Sequence, residues 1–118
     1  MQTDKRFAAA AEFLGDWRII EMDVWDSDAL DLIEPARLSI ESDGTGSLVF
    51  IAIMAGIDYR VEDRDGVPCL EFSWEGFSEG DPICGRAWAK LEGDELRGRL
   101  YIHASDDSSF IARRQRPG

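Results

Sequence analysis

The chain contains few of the residues that build metal and redox sites, with two cysteines and one histidine among its 118 residues. Two cysteines cannot form a disulfide framework, and no C-x-x-C pair suggests zinc. A cytoplasmic location is therefore expected. The acidic stretch 26–34 has neither the glycine nor the glutamate of a calcium loop, since Asp31 and Arg37 occupy those positions. No metal and no other cofactor is expected.

Long apolar runs and an excess of positive charge are also absent. No stretch of about 18 apolar residues exists, so no transmembrane helix is expected. Lys5 and Arg6 precede a short apolar stretch that Glu12 interrupts, and we interpret this segment as part of the mature protein rather than as a signal peptide. The net charge of −11 disfavours nucleic acid and anionic membranes as partners and favours cationic ones.

The composition is that of a packed globule, 44% hydrophobic with 4 Trp, 6 Phe and 2 Tyr. We expect a single domain over residues 1–118. It should begin with a helix over 1–15 that Gly15 ends, continue as a β-barrel over 16–114, and finish in a loose basic tail over 115–118.

Alternating apolar residues and turn signals predict about eight strands. The strands are expected at 17–25, 36–41, 47–55, 57–61, 69–74, 84–91, 96–103 and 110–114. Asp43-Gly44 and Asp65-Gly66 are strong hairpin signals. Gly56 is expected to end the strand that precedes it, and a loop is expected at 76–82. Ser27 or Asp28 should cap a short helix. Short connections imply antiparallel neighbours, so the predicted fold is all-β, a mostly up-and-down antiparallel barrel.

Two features at the chain ends carry a family resemblance. Gly15-Asp16-Trp17 resembles the Gly-x-Trp that begins the first strand of calycins, the superfamily of lipocalins, fatty-acid-binding proteins and avidin-like barrels. Arg113 or Arg114 resembles the basic residue that packs across that tryptophan. The resemblance implies a buried Trp17 and a barrel that binds a small molecule. The chain also resembles small uncharacterised bacterial proteins, which implies no activity.

The sequence of the first strand does not decide which of its side chains point into the barrel. If Trp17 points inward, alternation places Ile19, Glu21 and Asp23 in the lumen as well. Either a bulge resets the phase, or the lumen holds two carboxylates that require a basic partner, for which Arg113 or Arg114 is available.

Polar side chains alternate along two neighbouring strands and are the best candidates for binding a ligand. On one interpretation they form an outer wall neutralised by Glu71 and Glu75. On the other they line a polar lumen in which Arg86 and Arg99 bind an anion. The apolar opposite faces of these strands favour the outer wall. If a ligand site exists, its predicted residues are Glu21, Arg86, Trp88, Arg99 and Tyr101.

These observations favour a non-enzymatic barrel that binds a small molecule in its mouth. The alternative is an acidic protein–protein interaction module that meets a basic partner and has no small-molecule ligand. An enzyme using carboxylates and His103 ranks below both, because no G-x-S-x-G motif is present. Regular pairing would put Cys69 opposite Trp88 and Cys84 opposite Ser73, so both thiols should be free.

Overall fold

The computed structural model describes residues 11–115, and these fold as the predicted all-β barrel. Its elements are β1 (Gly15–Met22), α1 (Ser27–Leu30), β2 (Arg37–Ile40), β3 (Thr45–Phe50), β4 (Ile53–Arg64), β5 (Val67–Ser78), β6 (Asp81–Glu92), β7 (Glu95–Ile102) and β8 (Asp107–Arg114). Each strand pairs antiparallel with the next, and β8 pairs with β1 to close the barrel. No helix in this part of the chain is long and apolar enough to cross a membrane.

The two predicted terminal segments lie mostly outside the described residues. Of the helix predicted over 1–15, Ala11 is helical and Gly15 already belongs to β1. Of the tail predicted over 115–118, Gln115 is described, and its backbone N–H donates to the carbonyl of Asp16 at 2.9 Å.

Period-two alternation decides which side chains fill the barrel. Along β5 the side chains of Leu70, Phe72 and Trp74 are buried, whereas Ser73 and Glu75, which alternate with them, are exposed. The neighbouring strands follow the same rule, so their charged side chains lie on the outer face. The core therefore consists of the inward rows of all eight strands.

The first strand confirms that Trp17 is buried, and a bulge in this strand resets the alternation of inward and outward side chains. Trp17 is fully buried, and the guanidinium of Arg114 lies 4.2 Å from its ring centroid. The pairing of β1 with β8 shifts between Ile19 and Glu21. This bulge at Ile20 returns Met22 to the core and leaves Glu21 exposed.

Two predicted strand ends are wrong. The chain turns at Ile51-Ala52, not at Gly56, which lies inside β4. The loop predicted at 76–82 is strand except for the two-residue turn Glu79-Gly80.

The longer β5–β6 hairpin shifts the predicted register. Cys69 faces Lys90 rather than Trp88, and Cys84 faces Glu75 rather than Ser73. Both cysteines are nevertheless free, as predicted.

A close approach of Trp74 explains one glycine in the wall. A Cβ atom added to Gly85 would lie 2.6 Å from the Trp74 ring and 1.9 Å from the carbonyl oxygen of Tyr101. Only a residue without a side chain allows this contact. Gly85 therefore lets the Trp74 ring pack directly against the backbone of β6.

A short connection with one helix covers the end of the barrel where β1 finishes. Asp26, rather than the predicted Ser27 or Asp28, caps α1 by accepting from the backbone N–H of Ala29. The carbonyl of Leu30 then accepts from the backbone N–H of Ile51 at 2.9 Å. The connection is thereby fixed to the β3–β4 turn.

Candidate functional site

Aromatic side chains fill the lumen beneath α1. The ring of Phe50 contacts Trp25 and Trp74 edge-to-face, with centroid distances of 5.7 and 5.9 Å. Leu30 of α1 is buried at the same end of the barrel. Aromatic contacts of this geometry add about 0.5–1.5 kcal/mol each beyond buried area. These side chains pack as core at this end of the barrel.

Four of the five predicted site residues meet on the outer wall, the arrangement that the sequence favoured. Arg86 faces Tyr101 across β6 and β7, and Trp88 faces Arg99 in the same way. Directly opposed residues have Cβ atoms about 4.5–5.5 Å apart. We call these four residues the arginine–aromatic patch. Glu21 lies apart from it, because β8 separates β1 from β7.

The two arginines of the patch differ in their partners. Arg99 donates to the carboxylate of Asp107 at 2.6 Å, and this hydrogen bond raises the pKa of the Arg99 guanidinium. Arg86 has no carboxylate or carbonyl partner among residues 11–115. The other arginines of this part of the chain all have one, and they are Arg18, Arg37, Arg60, Arg64, Arg97, Arg99, Arg113 and Arg114.

Arg86 lies in a shallow concavity of about 470 Å³ on the outer face of β4 to β7. Ser73 on β5 and Tyr101 on β7 are its cross-strand neighbours, and Tyr101 is 43% exposed. Trp88 lines the same concavity two residues along β6. A cation, a hydroxyl group and two aromatic rings therefore face one open volume.

The carboxylates of this concavity are already engaged. Asp58 accepts from Arg60 at 2.8 Å, and Glu71 pairs with Arg64. A hydrogen bond with Glu71 raises the pKa of Glu62. Asp58 and Glu71 are thus paired with other arginines, and within residues 11–115 neither forms an ion pair with Arg86.

A second row of polar residues lies nearer to the tip of the β5–β6 hairpin. Glu75 faces Cys84, and the backbone N–H of His103 donates to the carbonyl of Cys84 at 2.8 Å. Together with Phe77 and Ile83 they line a concavity of about 570 Å³. This row was not predicted, because residues 76–82 were expected to form a loop. A two-residue turn predicted at Glu79-Gly80 would have placed these residues on paired strands.

Ser108, which follows His103 at the start of β8, is directed elsewhere. Ser108 is buried, and its hydroxyl donates to the Asp23 carboxylate at 2.5 Å. This hydrogen bond lowers the pKa of Asp23. Ser108 therefore joins β8 to the end of β1 and does not form a triad with His103. Among residues 11–115, no three side chains of His, Cys, Asp or Glu group to hold a metal ion.

Comparison with protein-family models, with curated proteins and with solved structures found no match for this chain.

Proposed function

We propose that this domain is a non-enzymatic binding barrel of calycin type whose ligand binds on the outer wall rather than in the lumen. The closed order of eight antiparallel strands supports the calycin relationship. So does Arg114 stacked on the buried Trp17. The buried rings of Phe50 and Trp74, which contact each other inside the barrel, argue against a carrier of lipids. The exposed thiol of Cys84 fits a reducing cytoplasm.

The ligand we propose is a small molecule with a planar ring and a carboxylate or phosphate group. The observation that carries this proposal is the guanidinium of Arg86, which has no ion-pair partner among residues 11–115 and lines the same concavity as Trp88 and Tyr101. Arginine binds planar anions through two parallel N–H donors, and aromatic side chains stack against a ring. In a chain with net charge −11, an arginine without a carboxylate partner in the described part of the chain is a local positive charge that attracts an anion.

Naphthoate is a suitable probe, because it joins an aromatic ring to a carboxylate. We expect it to shift the NMR signals of the Trp88 indole and the amides around it. Arg86→Gln should weaken binding about tenfold or more, since a charge-assisted hydrogen bond contributes roughly 1.5–3 kcal/mol. Ser73→Glu should weaken it similarly by placing a carboxylate opposite Arg86.

The matched control is Arg113→Gln, which removes an exposed arginine already paired with Glu95 at 2.9 Å. It should leave naphthoate binding unchanged. Equal binding of neutral naphthylmethanol would contradict the role of the anion. Shifts centred on the Trp74 indole instead of Trp88 would identify a lumen site and refute the outer-wall proposal.

A further inference from the structure

An exposed apolar row crosses the outer face at the tip of the β5–β6 hairpin. Met54 faces Phe77 across β4 and β5, and Phe77 faces Pro82 across β5 and β6. Phe77 is 58% exposed and Met54 is 51% exposed. Residues that face outward at this height of the sheet are therefore apolar, although the inward rows already supply the core.

Within the described part of the chain, acidic side chains lie around this row without forming ion pairs. Glu75, Glu79 and Asp81 are all exposed, and none forms an ion pair within residues 11–115. The sequence contains no lysine or arginine between Arg64 and Arg86. We call the exposed residues 75–82 of this hairpin, together with Met54, the acidic tip.

The chemistry of the acidic tip suits a cationic side chain that also has an apolar stem. The open face of Phe77 attracts a cation, and Glu75 lies two residues along β5 in the same concavity. Lysine and arginine stems pack on apolar surface while their charged heads stay near water. A partner side chain crossing Phe77 toward Glu75 would satisfy both groups.

The size of the apolar row indicates what kind of partner covers it. A stable dimer buries about 800 Å² on each partner. Three exposed side chains cannot supply such an area, which argues against a second copy of this chain. A single anchoring side chain in a small pocket is instead typical of the centre of a peptide interface.

We propose that the acidic tip docks a short basic segment of another protein, with one arginine or lysine held between Phe77 and Glu75. Charge complementarity commits the site to this occupant, because every charged residue of the acidic tip is a carboxylate. This surface is separate from the arginine–aromatic patch. It stands whether or not a small anion binds at Arg86.

The test uses a fluorescein-labelled decapeptide of alternating arginine and leucine, with an alternating glutamate and leucine peptide as its counterpart. Fluorescence anisotropy with the full chain should give saturable binding of the basic peptide only. Phe77→Ser and Glu75→Gln should each weaken it at least threefold. Both positions are exposed, and far-UV circular dichroism of each variant verifies the fold.

Two control variants separate the site from the general negative field. Val67→Ser removes an exposed apolar side chain elsewhere, and Glu41→Gln removes an exposed carboxylate elsewhere. Both should bind the basic peptide within twofold of the parent chain. Equal weakening by controls and tip variants, or no saturable binding, overturns the proposal.

Two further outcomes would assign the binding elsewhere. If Arg86→Gln abolishes binding of the basic peptide and Phe77→Ser does not, the peptide binds at the arginine–aromatic patch, and the proposed docking site at the acidic tip is overturned. A dimer in sedimentation that Phe77→Ser abolishes would identify a second copy as the occupant and overturn the basic partner.

Discussion

Replacing Trp17 by alanine is the strongest test of how the barrel is held closed. The ring is fully buried, and its indole N–H donates to the carbonyl of Phe13 at 2.9 Å. Truncation of a buried aromatic side chain costs about 3–5 kcal/mol. Because a domain of this size is stable by about 5–15 kcal/mol, Trp17→Ala should fold but lose a large share of its free energy of unfolding.

Arg114 contributes to the same corner through two kinds of contact. Its guanidinium donates to the carbonyls of Leu14 at 2.8 Å and Glu12 at 2.6 Å, and it stacks on the Trp17 ring. Arg114 is exposed, so each hydrogen bond should contribute only about 0.5–1 kcal/mol. The cation–π contact adds about 0.5–1 kcal/mol. Arg114→Leu should therefore cost about 1.5–3 kcal/mol.

A double-mutant cycle separates these terms. In the Trp17→Ala background the ring is already gone, so Arg114→Leu should cost about 0.5–1 kcal/mol less than in the parent chain. Urea unfolding followed by far-UV circular dichroism measures all four free energies without relying on tryptophan fluorescence. A coupling energy of zero would refute the stacking argument. A Trp17→Ala variant as stable as the parent would refute the core role of the ring.

Two further predictions concern titration and thiol reactivity. The hydrogen bond from Arg18 holds the pKa of Asp31 below its ordinary value of 3.8, so this group stabilises the fold above that pH and its contribution is lost as pH falls below it. The stability gap between parent and Asp31→Asn in urea should thus shrink from pH 6 to pH 3; a constant gap would contradict it. Cys84 is exposed and Cys69 buried, and burial raises the pKa of the Cys69 thiol, so a thiol reagent should count one group in the folded protein and two in urea. Any other counts would contradict this assignment.

Local sequence signals were sufficient to predict the two turns whose backbone conformation requires a glycine. Gly44 and Gly66 have φ values of 91° and 82°, a region that glycine enters without cost. Both Asp-Gly pairs therefore end strands where the sequence predicts. Period-two alternation likewise identified the buried face of β5, because one face of each strand meets the core.

Tertiary contacts override local signals at the β3–β4 turn. Ile51 adopts φ of 45°, which is unfavourable for a β-branched residue. Its backbone N–H donates to the carbonyl of Leu30, and its side chain packs against the core. These contacts offset the strain. The hydrogen bond comes from a helix about twenty residues earlier, so no pattern around Ile51 predicts the turn. Gly56 was the more conspicuous residue, and the turn predicted there was wrong.

The candidate site depends on the pairing register of β5 and β6, and the register predicted from the sequence differs from the observed one by two positions. In the predicted register Arg86 would face Glu71, and its charge would be neutralised across the strands. In the observed register it faces Ser73, while Glu71 pairs with Arg64 instead. The turn at Glu79-Gly80 makes this difference, because it lengthens the hairpin and moves every partner on β6 by two positions. The residue types of the outer wall could thus be read from the sequence. That Arg86 is the arginine without a partner among residues 11–115 follows from the position of one turn.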